Sequence, residues 1–224
     1  MLDYGLLALS LVISLVSQGY INKWYIKTRK IENKKGLSGR EVARKILDKN
    51  DLKNVKVVEV NGVLSDHYDP RNKTVNLSSE VYNGESIASI SVASHECGHA
   101  IQDKDNYIFL RIRSSIIPIV NLASKLGYVA ILVGVILGMF GFIKIGIYME
   151  VIILVFQLIT LPVEFNASSR ALKKIEEYKM VDDEEHDLAK KMLTSAALTY
   201  VAGVATTLVQ LVRLVLIFGR SSDR

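Results

Sequence analysis

Ser94-His95-Glu96-Cys97-Gly98-His99-Ala100 contains the pattern H-E-x-x-H. On a helix, residues four apart project from one face. His95 and His99 can therefore each aim one imidazole nitrogen at a single metal ion. Glu96 lies beside that ion without occupying a coordination position, where it can receive a proton from water. The competing reading is a helix that carries two polar residues by coincidence. The flanks favour a built site: Asn83-Gly84-Glu85-Ser86 reads as a break followed by an N-cap. Ile87, Ala88, Ile90, Ser91, Val92 and Ala93 then open a helix suited to burial. A catalytic zinc takes three protein ligands and keeps a fourth position open, so a third ligand has to come from elsewhere in the chain.

Half of the 224 residues are apolar, and the charges are unevenly spread. Residues 4–22, 126–143 and 192–212 carry none, and 145–163 carries only Glu150. Each run approaches the roughly 20 residues that a helix needs to cross a bilayer. The sequence thus predicts four membrane spans, against the alternative of a soluble helical protein with buried helices. The first run has no basic residue ahead of it and no small-x-small site after it, so it reads as a retained anchor rather than a cleaved signal. Lys23, Lys27, Arg29, Lys30, Lys34 and Lys35 follow it, which puts that side in the cytoplasm and the amino terminus outside. Arg213, Arg220 and Arg224 then fall on the outer side and argue the other way. The net charge of +5 reads mainly as this topology signal, together with attraction to anionic lipid heads. No basic face with groove-reading or stacking elements is present, which excludes a nucleic-acid partner. The single cysteine, Cys97, excludes an internal disulfide and suits a reducing cytosol. It reads as a packed helix residue rather than a nucleophile or ligand.

Between the first span and the motif, Ser38-Gly39-Arg40-Glu41 has capping-box spacing and leads into the apolar stripe Val42, Ala43, Ile46, Leu47. Val55, Val57, Val58 and Val60 read as a strand closed by Asn61-Gly62. Thr74–Leu77 reads as a second strand after the turn Asp69-Pro70-Arg71-Asn72. The expectation is a small antiparallel sheet, with the strand 73–78 an open edge beside the metal that can pair with an extended peptide. Residues 107–124, with Arg111, Arg113 and Pro118, read as a segment entering the membrane, and Lys144 and Gly146 as the outer turn. Gly134 and Gly138 have G-x-x-x-G spacing, to which no dimerisation is assigned.

The third ligand is expected at Glu164, where the apolar run of the third span meets the polar segment that follows. A carboxylate there is costly unless paired, hydrated or metal-bound. Its alternatives are an interfacial snorkelling glutamate or a partner for Arg170. His186, within Asp182-Asp183-Glu184-Glu185-His186-Asp187, reads instead as part of an acidic first turn, and His67 as a turn residue or an oxyanion contact.

Three runs carry a resemblance: Leu64-Ser65-Asp66-His67-Tyr68-Asp69-Pro70-Arg71, Ala93–Ala100, and Pro162-Val163-Glu164-Phe165-Asn166-Ala167-Ser168. Together they resemble the YugP-like family of neutral zinc metallopeptidases of bacterial membranes, over nearly the whole chain. The third run is also similar to the HtpX-type membrane gluzincins, whose ligand glutamate is followed at +4 by an aspartate. Ser168 stands at that position here. The resemblance implies a Zn2+ peptidase in the bacterial plasma membrane.

The expected architecture is a mainly α integral membrane protein, four transmembrane helices with a small α+β cytoplasmic zincin-like catalytic domain. Its expected parts are a first transmembrane helix over 1–22, a cytoplasmic catalytic part over 23–113 and two transmembrane helices over 114–163. A cytoplasmic helical loop over 164–191 and a fourth transmembrane helix with tail over 192–224 complete it. His95, His99 and Glu164 are the expected zinc ligands and Glu96 the general base for cleaving peptides or membrane proteins at the bilayer surface. Tyr68, Tyr82, Tyr178, Tyr200, His67 and Arg170 are each open as the oxyanion donor. The rival readings are a membrane scaffold or chaperone-like protein with a structural four-ligand metal, and a protease with its metal inside the hydrocarbon.

Overall fold

In the computed structural model, which describes residues 2–218, ten elements follow one another. They are α1 (Leu2–Arg29), α2 (Gly39–Lys49), β1 (Lys56–Val60), β2 (His67–Asp69), β3 (Thr74–Ser78), α3 (Ser79–Asn83), α4 (Ile87–Lys104), α5 (Ile108–Leu137), α6 (Phe140–Glu177) and α7 (Asp183–Phe218). Four helices, α1, α5, α6 and α7, are long and apolar enough to cross a membrane. The chain divides into two compact units, one from residues 2–18, 112–161 and 199–218, the other from Gly19–Arg111 and Pro162–Leu198.

The first unit turns large apolar side chains outward. Leu15, Val16, Leu132, Ile136, Leu158, Leu208 and Val215 are all exposed. In water such a surface would be a liability; against hydrocarbon it costs nothing, so the apolar runs read as lipid-facing. The turn between α5 and α6 falls at Gly138 and Met139, ahead of the expected position at Lys144 and Gly146. Gly138 has φ +64°, the left-handed conformation that ends helices and that only glycine adopts without cost. Lys144 lies inside α6, its ammonium 5.5 Å from the centre of the Phe140 ring. Arg213 lies on α7; Arg220 and Arg224 lie outside the described residues.

In the second unit the capping box of α2 forms, with Ser38 and Glu41 bonded reciprocally. The stripe Val42, Ala43, Ile46 and Leu47 is completely buried. Each of its larger members contributes up to about 1.5–3 kcal/mol by leaving water. The acidic run opens α7 as expected, Asp182 and Glu185 each accepting the other's backbone N–H at 2.9 Å.

The sheet differs from expectation in two ways. It is mixed, in the order β1-β3-β2, with β1 parallel to β3 and only β2 antiparallel. The strand expected to be an open edge, β3, is therefore the central one. The cause is β2, a three-residue strand too short to show in the apolar pattern. It uses up the reversal between β1 and β3, so that β3 runs in the direction of β1. Asn76 and Ser78 of this strand are polar and yet buried, because both find partners. Asn76 Nδ2 reaches His67 Nε2 at 3.2 Å and Thr74 Oγ1 at 3.0 Å. Asp66 accepts from the Ser78 N–H at 2.8 Å and its hydroxyl at 3.1 Å.

Asp66→Ala strands the Ser78 N–H and hydroxyl in a dry position. It is expected to lower stability by about 1–3 kcal/mol, read as a fall in the thermal midpoint of the detergent-solubilised protein.

Candidate metal centre

The site lies within the second unit, where α4 meets the later part of α6. Ser86 caps α4 by accepting the Ser89 N–H at 3.1 Å, and the helix is buried almost throughout. It meets α6 backbone to backbone. A Cβ added at Gly98 would lie 2.5 Å from the Ala167 carbonyl oxygen and 3.1 Å from its Cα, closer than non-bonded atoms tolerate. Gly98 is flanked on α4 by His95, three residues before it, and His99, one after. Ala167 is flanked on α6 by Glu164 three before and Ser168 one after. The contact of two small residues thus brings the two sets of side chains face to face.

His95 Nε2 lies 3.2 Å and His99 Nε2 3.6 Å from the same Glu164 oxygen, Oε2. One ligand atom from each residue lies within 4.8 Å of the others, and the two rings stand nearly perpendicular, at 86°. His99 and Glu164 are buried, while His95 is partly open. The other ring nitrogen of each histidine is also engaged: His95 Nδ1 is 3.1 Å from Ser168 Oγ, and His99 Nδ1 is 3.0 Å from Gln102 Oε1. Gln102, itself fully buried, donates through Nε2 to the Val163 carbonyl at 2.8 Å and to Asn166 Oδ1 at 2.9 Å.

A peptide carbonyl can only accept, so the Gln102 amide is oriented with its oxygen towards His99, whose Nδ1 must then carry the proton. When neutral, His99 turns the lone pair of Nε2 towards the Glu164 carboxylate. A lone pair and a buried carboxylate oxygen repel unless a cation stands between them. Burial lowers the basicity of His99, but Glu164, Glu96 and Gln102 outweigh it and hold its pKa above the ordinary imidazole value. The pocket favours positive charge, and two imidazoles with one carboxylate form a donor set suited to zinc. The residues therefore fit the ion.

Glu96 is buried and stands outside the three-residue group, close enough for its charge to act on His99. Cys97 points away from it. Its thiol contacts the Ala43 carbonyl at 3.6 Å, and burial pushes its pKa up. His67 is held by the Ser65 carbonyl at 2.8 Å and by Asn76, and His186 lies on α7 near Glu176. Neither belongs to the metal group. Several of the oxyanion candidates are engaged elsewhere. Tyr68 donates to Asp103 at 2.7 Å, and Tyr178 accepts from Asn50 at 3.0 Å. Arg170 donates to Asn166 at 2.8 Å and pairs with Asp105. Tyr82 stacks under Arg40, and Tyr200 belongs to the other unit. Gln102 belongs to the metal-motif helix but has no role assigned by the motif. Its signal was its place three residues after His99, on the same helical face.

Fold and site together define a helical protein with four helices long and apolar enough to cross a membrane and a His-His-Glu group that could hold a metal ion. The chain belongs to the family described as "putative neutral zinc metallopeptidase", which matches residues 4–219. It is 44% identical over 214 residues to the "putative membrane protease YugP" of Bacillus subtilis (strain 168), an alignment covering 96% of this chain and 95% of that protein. No solved structure matches it.

Gly98→Ala is expected to force α4 and α6 apart, destabilising the protein by about 1–3 kcal/mol and lowering zinc occupancy in equilibrium dialysis. Gln102→Leu removes the support of His99 and should weaken zinc about 10–100-fold, measured by competition with a chromophoric chelator.

Proposed function

We propose that the protein is a zinc-dependent membrane metalloendopeptidase of gluzincin type, cutting membrane-associated polypeptides with an active site on the cytoplasmic face of the plasma membrane. The observation that carries this reading is the convergence of His95, His99 and Glu164 on one point. These three residues would hold the ion and leave a position open, as catalytic rather than structural zinc sites do. Zinc held there supplies Lewis acidity towards a carbonyl and towards water. His99 is kept in the tautomer that offers Nε2 by Gln102, and His95 is oriented by Ser168, which takes the place of the aspartate of HtpX-type enzymes. Glu96 accepts a proton from the attacking water and returns it to the leaving amine nitrogen as the peptide bond breaks. The positive residues that follow α1, from Lys30 to Lys35, support the cytoplasmic placement of this unit.

A structural metal in a scaffold protein would require a fourth protein ligand. Neither His67 nor His186 is within the metal group, which favours the enzyme. X-ray absorption on the zinc-loaded protein should count three protein ligands. Glu96→Gln is expected to reduce cleavage of a membrane-protein substrate about 100- to 10,000-fold while zinc stays near one per chain. Undiminished cleavage by this variant would overturn the role of Glu96, and a fourth protein ligand would overturn the enzymatic reading.

A further inference from the structure

Within the second unit, the single tryptophan of the chain, Trp24, has three positive charges around its ring. The ammonium groups of Lys23 and Lys27 lie 5.8 and 5.2 Å from the ring centre, and that of Lys191 lies 5.6 Å from it. Lys23 and Lys27 belong to α1 and Lys191 to α7, so the fold makes the group. All three lysines are exposed, and among the described residues none of them pairs with a carboxylate. Lys34, Lys73 and Lys174 of the same unit each face one. The indole N–H is buried without an acceptor, so no carbonyl or carboxylate of the chain is bonded to the ring. A ring face attracts ammonium groups but carries no net charge. Three cations at these distances are separated by lengths comparable with the screening length of about 8 Å, and they repel one another.

The level of the cluster follows from the charge pattern. The charge-free run of α1 ends at Asn22, and that of α7 starts at Met192. Lys23 and Lys191 are thus the first charges beyond two runs of membrane-spanning length, and they meet on one ring. Trp24 stands edge-on to Tyr20 at 6.5 Å and is followed by Tyr25, a grouping typical of the membrane–water boundary. The ring is held in place by packing against the buried cluster of Ala171, Met192 and Leu193. The abundant anion at that boundary is the lipid phosphate.

We infer that Lys23, Lys27 and Lys191, gathered around Trp24, form a discrete seat for the phosphate of an anionic phospholipid. The phosphate oxygens accept from the ammonium groups and offset their repulsion. A choline lipid offers the same phosphate but brings a fourth cation, which the cluster repels. The seat therefore selects lipids of net negative charge, of which phosphatidylglycerol is the probe. It differs from the general attraction of a basic flank to anionic lipid because it depends on Lys191, from another helix.

Trp24 is also the reporter, since no other residue gives tryptophan emission. The full chain is placed in nanodiscs of phosphatidylcholine containing about a tenth phosphatidylglycerol. Bromine is carried either on the acyl chains of the phosphatidylglycerol or on an equal amount of the phosphatidylcholine. With no preference the two preparations quench Trp24 equally; the seat should make brominated phosphatidylglycerol about threefold or more the stronger quencher. Lys27→Gln and Lys191→Gln should each bring the ratio close to one, with thermal melting confirming that both fold, and Lys191→Arg should keep it. Lys30→Gln removes an equal charge from the same flank away from the ring and should leave the ratio unchanged. The proposal is overturned if the position of the bromine makes no difference in the unmodified protein, or if Lys191→Gln keeps the preference. It is equally overturned if Lys30→Gln abolishes the preference as fully as Lys27→Gln. Loss of the preference on adding inorganic phosphate at constant ionic strength would assign the seat to a free anion and overturn the lipid.

Discussion

The site depends on how closely two helices can approach. The imidazoles of α4 and the carboxylate of α6 reach one another because Gly98 has no side chain and Ala167 a minimal one, so the helix backbones touch. That approach buries Glu164 and His99 together. Burial in turn makes the arrangement demanding, because a carboxylate facing the Nε2 lone pair of neutral His99 in a dry place favours a positive charge between them. The geometry and the electrostatics have one origin.

The surrounding polar groups are arranged to keep that demand specific. Gln102 connects His99 of α4 to the backbone carbonyl of Val163, the residue before Glu164 of α6. It fixes the His99 tautomer and ties the two helices in the same step. Asn166 accepts from Gln102 and from Arg170, so the chain of bonds ends in a charge shared with Asp105. A network of this kind narrows the rotamers open to His99, which an apolar filling would leave freer. Ser168 does for His95 with a neutral hydroxyl what a carboxylate would do with a charge. No third carboxylate is then needed in the pocket beside Glu164 and Glu96.

The small sheet shows where pattern reading loses its grip. Its strands have five, three and five residues, and the shortest, which decides the topology, is held by side-chain bonds from Asp66 and Asn76 rather than by an apolar run. Polar residues in β3 are buried in the fold because Asn76 and Ser78 each find a partner. Periodicity reports burial only where burial is apolar. The membrane helices were easier to read because charge is excluded from hydrocarbon, and that exclusion leaves long marks in a sequence.

The sequence by itself determined the four long apolar helices, the pairing of His95 with His99 and the value of Glu164. These follow from local rules: four residues bring side chains to one helical face, and a carboxylate at the end of an apolar run demands compensation. Tertiary structure alone decided that Ser168 meets His95, that Gln102 ties His99 to α6, that β3 is central, and that Arg113, Gln157 and Gly203 from three helices share one cavity. Those facts depend on which backbones come into contact, and contacts between different elements of the chain leave no period in its sequence.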